Sequence, residues 1–442
     1  MPDSLPLASY DLAAALRRSD PAPPGQPPGG NRPEVFLYSH DTFGLGHLRR
    51  NLAIAGRLLA HGRFSVRLLT GSPVIASWSL PRGLDVQPLP PVVKVAAETY
   101  AARTPGEPFG LVKGYREALI LRLVLRHRPD VFLVDHAPSG MNGELLSTLA
   151  LIRREMPGTR TILGLRDILD SPAIVRDLWS SQDIHALLDR AYDDIFVYGS
   201  QRLFDVVNGY GMSPRVAERV RYCGYVVNAA GDDASGEADG VARRAATPCW
   251  NAGRAGGRPV VLVTAGGGGD GHAMMDAYLR ALAALPEGRF HSVLVTGPLM
   301  PGDEAATLHR AAAGRSDIEV LERTTDLVPS LRAADLVVSM AGYNTSVELI
   351  AARKRAILVP RAAPRAEQRM RAALLSKLGL MHVAHHGPRL AEQLAALLPA
   401  ALAAPAVRPE AWDTLDLRGT DRVAEHLQTC VASRSASLEP AA

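Results

Sequence analysis

Cysteine is scarce: Cys223, Cys249 and Cys430 are the only three, widely spaced and with no CxxC pair. That odd count excludes a disulfide framework and a cysteine-held zinc site, and it suits a reducing compartment. No apolar run approaches the roughly 18 residues of a membrane-spanning helix. The opening stretch MPDSLPLASYDLAAALRRSD lacks the basic-then-apolar order of a secretory signal. A cytoplasmic protein is expected, one that reaches the inner face of the membrane at most peripherally. Charge of one sign is not concentrated either. The 49 basic and 45 acidic residues leave a net charge of +4, scattered without a run or an aromatic-interleaved stripe. Nucleic acid is therefore not an expected partner, whereas small anionic ligands suit the slight basic excess.

With 442 residues, 47% hydrophobic and 21% charged, the chain reads as soluble and globular but too long for one ordinary core. Residues 1–33 end in the proline- and glycine-rich PAPPGQPPGGNRP and read as a disordered tail. From residue 34 short apolar runs alternate with helix-length segments: VFLYS at 35–39, FSVRLLT at 64–70, VFLVD at 131–135, TILGL at 161–165, DIFVYG at 194–199 and VRYCG at 220–224. Near-continuous apolar runs of this length suit parallel strands buried on both faces. Residues 229–257, small and polar, read as a linker or surface excursion. The alternation then restarts with VVLVT at 260–264, SVLVTG at 292–297, IEVLE at 318–322, DLVVSMAG at 335–342, AILVP at 356–360 and MHVAH at 381–385. The expected fold is α/β, with two Rossmann-like doubly wound domains over 34–228 and 258–404. A C-terminal helix over 405–430 is expected to cross back toward the first domain, and 431–442 to form a second disordered tail.

In open α/β sheets ligands gather at the carboxyl ends of the strands, and the unusual glycine clusters fall there. Gly44-Leu45-Gly46-His47 follows the run at 35–39, on a loop that also holds His40 and Asp41. Gly266-Gly267-Gly268-Gly269 follows the run at 260–264. Free backbone N–H groups there, before a helix, suit phosphate oxygens, although a plain tight turn reads the same way. No Gly-Lys-Ser/Thr follows, as a P-loop requires, and no GxGxxG fingerprint is present. The third cluster runs from Ser339 through Gly342, Asn344 and Thr345 to Glu348. Thr345 and Glu348 have capping-box spacing in a first helical turn, and Glu348 is equally placed to accept both hydroxyls of a ribose. Glu367 and Gln368 open a helix after the run at 356–360, where acidic residues are common. Asp193-Asp194, abutting a strand start, reads as capping and not as a metal-holding DxD motif.

Taken together these clusters resemble the donor-binding domain of GT-B glycosyltransferases. The nearest type is the bacterial family that includes the peptidoglycan-precursor N-acetylglucosaminyltransferase. The resemblance covers most of residues 258–385, through Gly266–Gly269, Thr324-Thr325-Asp326, Gly342–Glu348 and Glu367-Gln368. The first half resembles the same family's acceptor domain mainly through the loop ending in His47. SHDTFGLGHLRR is similar to a group of predicted bacterial glycosyltransferases. The resemblance implies a metal-independent, inverting hexosyltransferase that uses a nucleotide-diphosphate sugar, uridine favoured, with no cofactor. It implies that Gly266–Gly269 and Gly342–Thr345 cradle the diphosphate and the backbone near Thr324 meets the base. Glu348 then takes the ribose, and Glu367 and Gln368 meet the sugar. Met340-Ala341 stand where plant-type members carry a histidine. The resemblance also implies that Asp41, Gly44 and Gly46 form a loop that meets the acceptor or the diphosphate. The acceptor itself is a hydroxyl compound of glycan, glycolipid or secondary-metabolite synthesis, and a lipid-linked one is within the family's range.

A histidine at a helix N-terminus should stay neutral near pH 7 and take a proton from an attacking hydroxyl. His47 is the expected base, with His40 and Asp41 as rivals on the same loop. The basic and apolar stretch Gly114–Arg128 reads as a helix packed on the sheet with solvated arginines, or as a rest against an anionic bilayer. Two other functions share the architecture. One is a nucleotide-sugar 2-epimerase or hydrolase using carboxylates such as Asp135 and Asp167. The other is a non-catalytic nucleotide-sugar-binding protein.

Overall fold

The computed structural model describes residues 32–41, 45–96, 99–227, 248–250, 256–322 and 327–438. The apolar runs become the interior strands of two parallel sheets. Val35–Tyr38, Val131–Val134 and Ile195–Tyr198 in the first half, and Val261–Val263 in the second, are fully buried because helices cover both faces.

The first sheet has seven strands: β1 (Glu34–Ser39), β2 (Ser65–Thr70), β3 (Asp85–Pro88), β6 (Val131–Asp135), β7 (Arg160–Arg166), β8 (Asp194–Tyr198) and β9 (Val220–Tyr222). Their order is β3-β2-β1-β6-β7-β8-β9, parallel throughout. A small antiparallel pair, β4 (Val92–Ala96) and β5 (Thr99–Ala102), stands beside it. The second sheet holds β10 (Val260–Thr264), β11 (His291–Val295), β12 (Ile318–Leu321), β13 (Leu336–Ser339), β14 (Ala356–Leu358) and β15 (His382–Val383). Its order is β12-β11-β10-β13-β14-β15, again parallel. These are two Rossmann-like domains. Strands β3, β4 and β5 were not expected, since the half-exposed, proline-interrupted stretch 85–96 carries no continuous apolar run.

Each order reverses at one place, between β1 and β6 in the first sheet and between β10 and β13 in the second. At such a switch point the following loops part and leave a crevice. The helix Gly46–Ala60 leaves β1 and seats Leu48, Leu52, Ala55 and Leu58 on the sheet at helical spacing. The helix Tyr343–Ala351 leaves β13 in the same way.

Three departures from expectation concern burial and helix length. Trp250, within the stretch read as linker, is 8% exposed and belongs to the core, and Cys249 N–H donates to Ser330 Oγ at 2.9 Å. Residues 229–247 and 251–255 of that stretch lie outside the described residues. The last helix is Gly419–Leu438 and so passes the expected end at residue 430. It packs on the first domain, where Arg57 Nε meets Asp421 Oδ1 at 2.5 Å. In the helix Phe109–His127, Arg122 and Arg126 are exposed as expected, but Arg116 is buried in a two-pronged pair with Glu144, both contacts 2.7 Å. No helix among the described residues is long and apolar enough to cross a membrane.

Candidate functional site between the two domains

The two switch points face each other, and most of the candidate residues lie on their rims. His47 is the second residue of the helix after β1. Its Nδ1 lies 2.6 Å from Oδ2 of Asp135, the last residue of β6. That distance to a carboxylate places the proton on Nδ1, so Nε2 keeps its lone pair. Asp135 is 1% exposed and takes the Arg50 guanidinium on its other oxygen. Burial alone would raise its carboxyl, but Arg50 and His47 outweigh that and hold it well below the usual carboxylate range. The imidazole of His47 is pushed down in turn, chiefly by burial, with Arg50 and Arg166 adding to the effect and Asp135 opposing it. Burial thus joins the helix N-terminus in keeping the imidazole neutral.

The rivals of His47 on its loop are buried beside it. Asp41 accepts a hydrogen bond from Thr70 Oγ1, and burial raises its carboxyl to about 6. His40 presents its edge to His47, ring centres 5.7 Å apart, and burial drives its pKa well down. His136, directly after Asp135, completes a cluster of three imidazoles with its ring centre 5.0 Å from that of His47. Gly44 lies outside the described residues. Gly46 meets the second domain, its carbonyl accepting from Asn344 Nδ2 at 3.2 Å.

Across the gap, the glycine loop after β10 has φ of +67° at Gly266 and +93° at Gly268, the left-handed region that glycine enters without penalty. A side chain on Gly268 would strike the Thr296 carbonyl at 2.1 Å, and one on Gly266 would reach Thr345 Oγ1 at 3.5 Å. Gly266 thus lies against the start of the helix after β13, beside Thr345. That helix begins at Tyr343 with Gly342 as its N-cap and no side-chain cap. Glu348 consequently sits in the second turn, and the capping-box reading falls. Its carboxylate instead pairs with Arg49 of the first domain.

Glu367 opens its helix and is 5% exposed, with one buried oxygen, Oε2, lacking a hydrogen-bond partner. Gln368 uses Oε1 to accept from the Arg361 N–H at 3.1 Å, shaping the loop before it. Thr324 lies outside the described residues.

Several cleft residues carried no readable signal. Arg371 reaches across to Asp167 at 2.9 and 2.7 Å, both side chains 2% exposed. Asp170 Oδ1 accepts from Ala366 N–H at 2.8 Å. The Tyr343 hydroxyl donates to the Tyr198 carbonyl at 2.9 Å and accepts from Val226 N–H at 3.2 Å. Asp135 and Asp167, the carboxylates of the epimerase reading, are therefore each held by a buried guanidinium. The halves meet closely: the space lined by Arg49, Arg50, Val226, Asn344 and Glu348 is about 10 Å³. Among the described residues one group of potential metal ligands, Asp194, His426 and Cys430, lies within 4.8 Å of one another, at the opposite end of the strands. Arg160 and Arg221 already neutralise Asp194 there, which makes it a poor cation site.

Two Rossmann-like domains whose switch points face each other define the GT-B architecture. The comparisons agree. Residues 260–410 match the glycosyltransferase family 28 C-terminal domain. The UDP-N-acetylglucosamine--N-acetylmuramyl-(pentapeptide) pyrophosphoryl-undecaprenol N-acetylglucosamine transferase of Methylobacterium radiotolerans is 31% identical over 177 residues, 40% of this chain and 48% of its own length. The chain thus aligns with about half of that relative. The crystal structure of Acinetobacter baumannii MurG is similar at TM-score 0.55 and 14% identity, over 90% of this chain and all of that one. A UDP-glucosyltransferase from Polygonum tinctorium is similar at TM-score 0.60 and 15% identity, over 91% of this chain and 99% of its own. The fold is that of the GT-B glycosyltransferases, and the second domain is similar to family 28, as the glycine clusters implied.

Proposed function

We propose that this protein transfers a hexose-type sugar from a nucleotide-diphosphate sugar, uridine favoured, to a hydroxyl acceptor, with inversion and without a metal or cofactor. The observation that carries the reading is the His47–Asp135 pair at one switch point, opposite Gly266–Gly269 and Thr345 at the other. His47 Nε2 takes the acceptor proton as the oxygen attacks the anomeric carbon, and Asp135 steadies the imidazolium that forms. Charge growing on the departing diphosphate meets backbone N–H groups of Gly266–Gly269 and Gly342–Thr345, fixed donors that serve in place of a cation. Glu348 takes the ribose once Arg49 releases it, and Glu367 with Gln368 faces the sugar. A lipid-linked acceptor fits the exposed Leu111 and Leu125 on the basic helix Phe109–His127, a surface suited to peripheral contact with the inner face of a membrane.

A thermal-shift panel of nucleoside diphosphates and their sugars, run with EDTA, tests the donor half. Uridine diphosphate and its hexoses should raise the melting temperature, and no response to any nucleotide would sink the reading. Sugar release by the best donor should persist in EDTA and vanish in His47→Ala. A 2-epimer formed without acceptor would point to the epimerase instead.

A further inference from the structure

One cation at the cleft has no role in this chemistry. Arg166 ends β7, on the same wall as His47, with Nε and Nη2 buried and without a hydrogen-bond partner. Those two nitrogens form one edge of the guanidinium fork, the edge that takes a carboxylate or phosphate with two parallel bonds. The carboxylates that might have answered it are engaged, Asp135 by Arg50 and Asp167 by Arg371. The remaining nearby carboxylate, Glu367, belongs to the other domain. His136, neighbour to both Arg166 and His47, also has a buried Nδ1 without a partner, on a left-handed backbone at φ +69°. Arg365 adds a further positive charge from the second domain. Leaving a charged donor unmet in the interior is costly. The surroundings also disfavour the cation itself, since burial and its positive neighbours bring Arg166 down to about 10.

We propose that Arg166, with His136 beside it, is an oxyanion seat for the acceptor, which carries a phosphate or carboxylate close to the hydroxyl that His47 deprotonates. The assignment to the acceptor rests on the proposed function and on the wall: Arg166 and His136 share the first domain with the base, whereas the diphosphate loops belong to the second. An anion there satisfies the fork and adds a counter-charge from the acceptor's side. Its two-point grip fixes the hydroxyl in front of Nε2.

The test uses the full chain, titrated calorimetrically with inorganic phosphate and with acetate, each with and without saturating uridine diphosphate. Phosphate, acetate or both should bind saturably to the wild type, and the better of the two names the anion. In Arg166→Gln that binding should weaken at least ten-fold, while uridine diphosphate affinity stays within two-fold. Arg166→Lys, which keeps the charge but loses the fork, should fall between. Removing a buried charge that waits for a ligand should also leave the melting temperature of the free Arg166→Gln protein unchanged or higher, the reverse of a structural arginine. Unchanged anion binding in Arg166→Gln overturns the proposal. So does an equal loss of uridine diphosphate affinity, which would give the seat to the donor's diphosphate. A preference for UDP-glucuronic acid over UDP-glucose that disappears in Arg166→Gln would give it to the donor sugar and overturn the proposal too. Failure of the broader reading looks different: no uridine diphosphate binds, yet anion binding still depends on Arg166.

Discussion

Asp167 and Arg371, 204 positions apart in the chain, meet as a bidentate pair that is the most deeply buried ionic contact between the domains among the described residues. Arg371 also donates to the Ala341 carbonyl at 2.8 Å, so one guanidinium ties the first domain to the loop that precedes the Tyr343 helix. Removing one partner strands the other charge in the interior. Arg371→Ala should therefore cost about 3–5 kcal/mol in urea unfolding. Arg371→Met combined with Asp167→Leu should cost clearly less than the single change. Equal losses would mean that the pair matters for its packing alone.

His47 and Asp135 set the next expectation. His47→Ala should lower turnover by about 10²–10⁴-fold, the usual contribution of a positioned proton acceptor, with nucleotide affinity retained. Because burial depresses the imidazole, the neutral form persists below the ordinary value of about 6.5. Turnover should thus stay level from pH 8 down past that value and fall only as the pH drops through the depressed pKa. An acid limb centred above 7 would remove His47 from the role of base.

Arg49 competes with the nucleotide for Glu348 if the carboxylate accepts the ribose. Arg49→Ala should then tighten uridine diphosphate binding a few-fold, since a partly exposed pair is worth about 1 kcal/mol or less. Glu348→Ala should weaken it by ten-fold or more. Isothermal titration separates the two, and a Glu348→Ala protein that binds normally would leave the residue a domain latch only.

His426 on the last helix lies 3.5 Å from Asp194, which together with Cys430 raises its pKa to about 9. A raised value means that the protonated form favours the folded state. The stabilisation is whole below the unfolded value of about 6.5 and drains away as the pH climbs through 9. The melting-temperature gap between wild type and His426→Gln should narrow across that range. A gap independent of pH would show that His426 merely fills space.

Much of this was legible in the chain because parallel strands buried on both faces must be apolar throughout. VFLVD at 131–135 and VVLVT at 260–264 coincide with β6 and β10, and the glycine clusters after β1, β10 and β13 mark both switch points. The edge strand β3 and the β4–β5 pair escaped because they are half-exposed and lack that pattern. At the site, His47 was readable from its place after a glycine turn. Its partner Asp135 ends a strand 88 positions away, and its pairing is decided by which strands adjoin. Arg166 closes TILGLR as an ordinary polar terminus, and only the packing shows its fork unmet. Glu348 was placed a turn too early, because Gly342 and not Thr345 starts that helix.

The close fit of the halves has a consequence for traffic. The pocket beside Glu348, about 10 Å³, is too small for a ribose while Arg49 holds that carboxylate. A nucleotide seated as proposed must therefore unlatch Arg49 from Glu348 first. On the proposed function, opening that latch then becomes part of donor loading, while Gly269 across the gap already stands exposed to solvent.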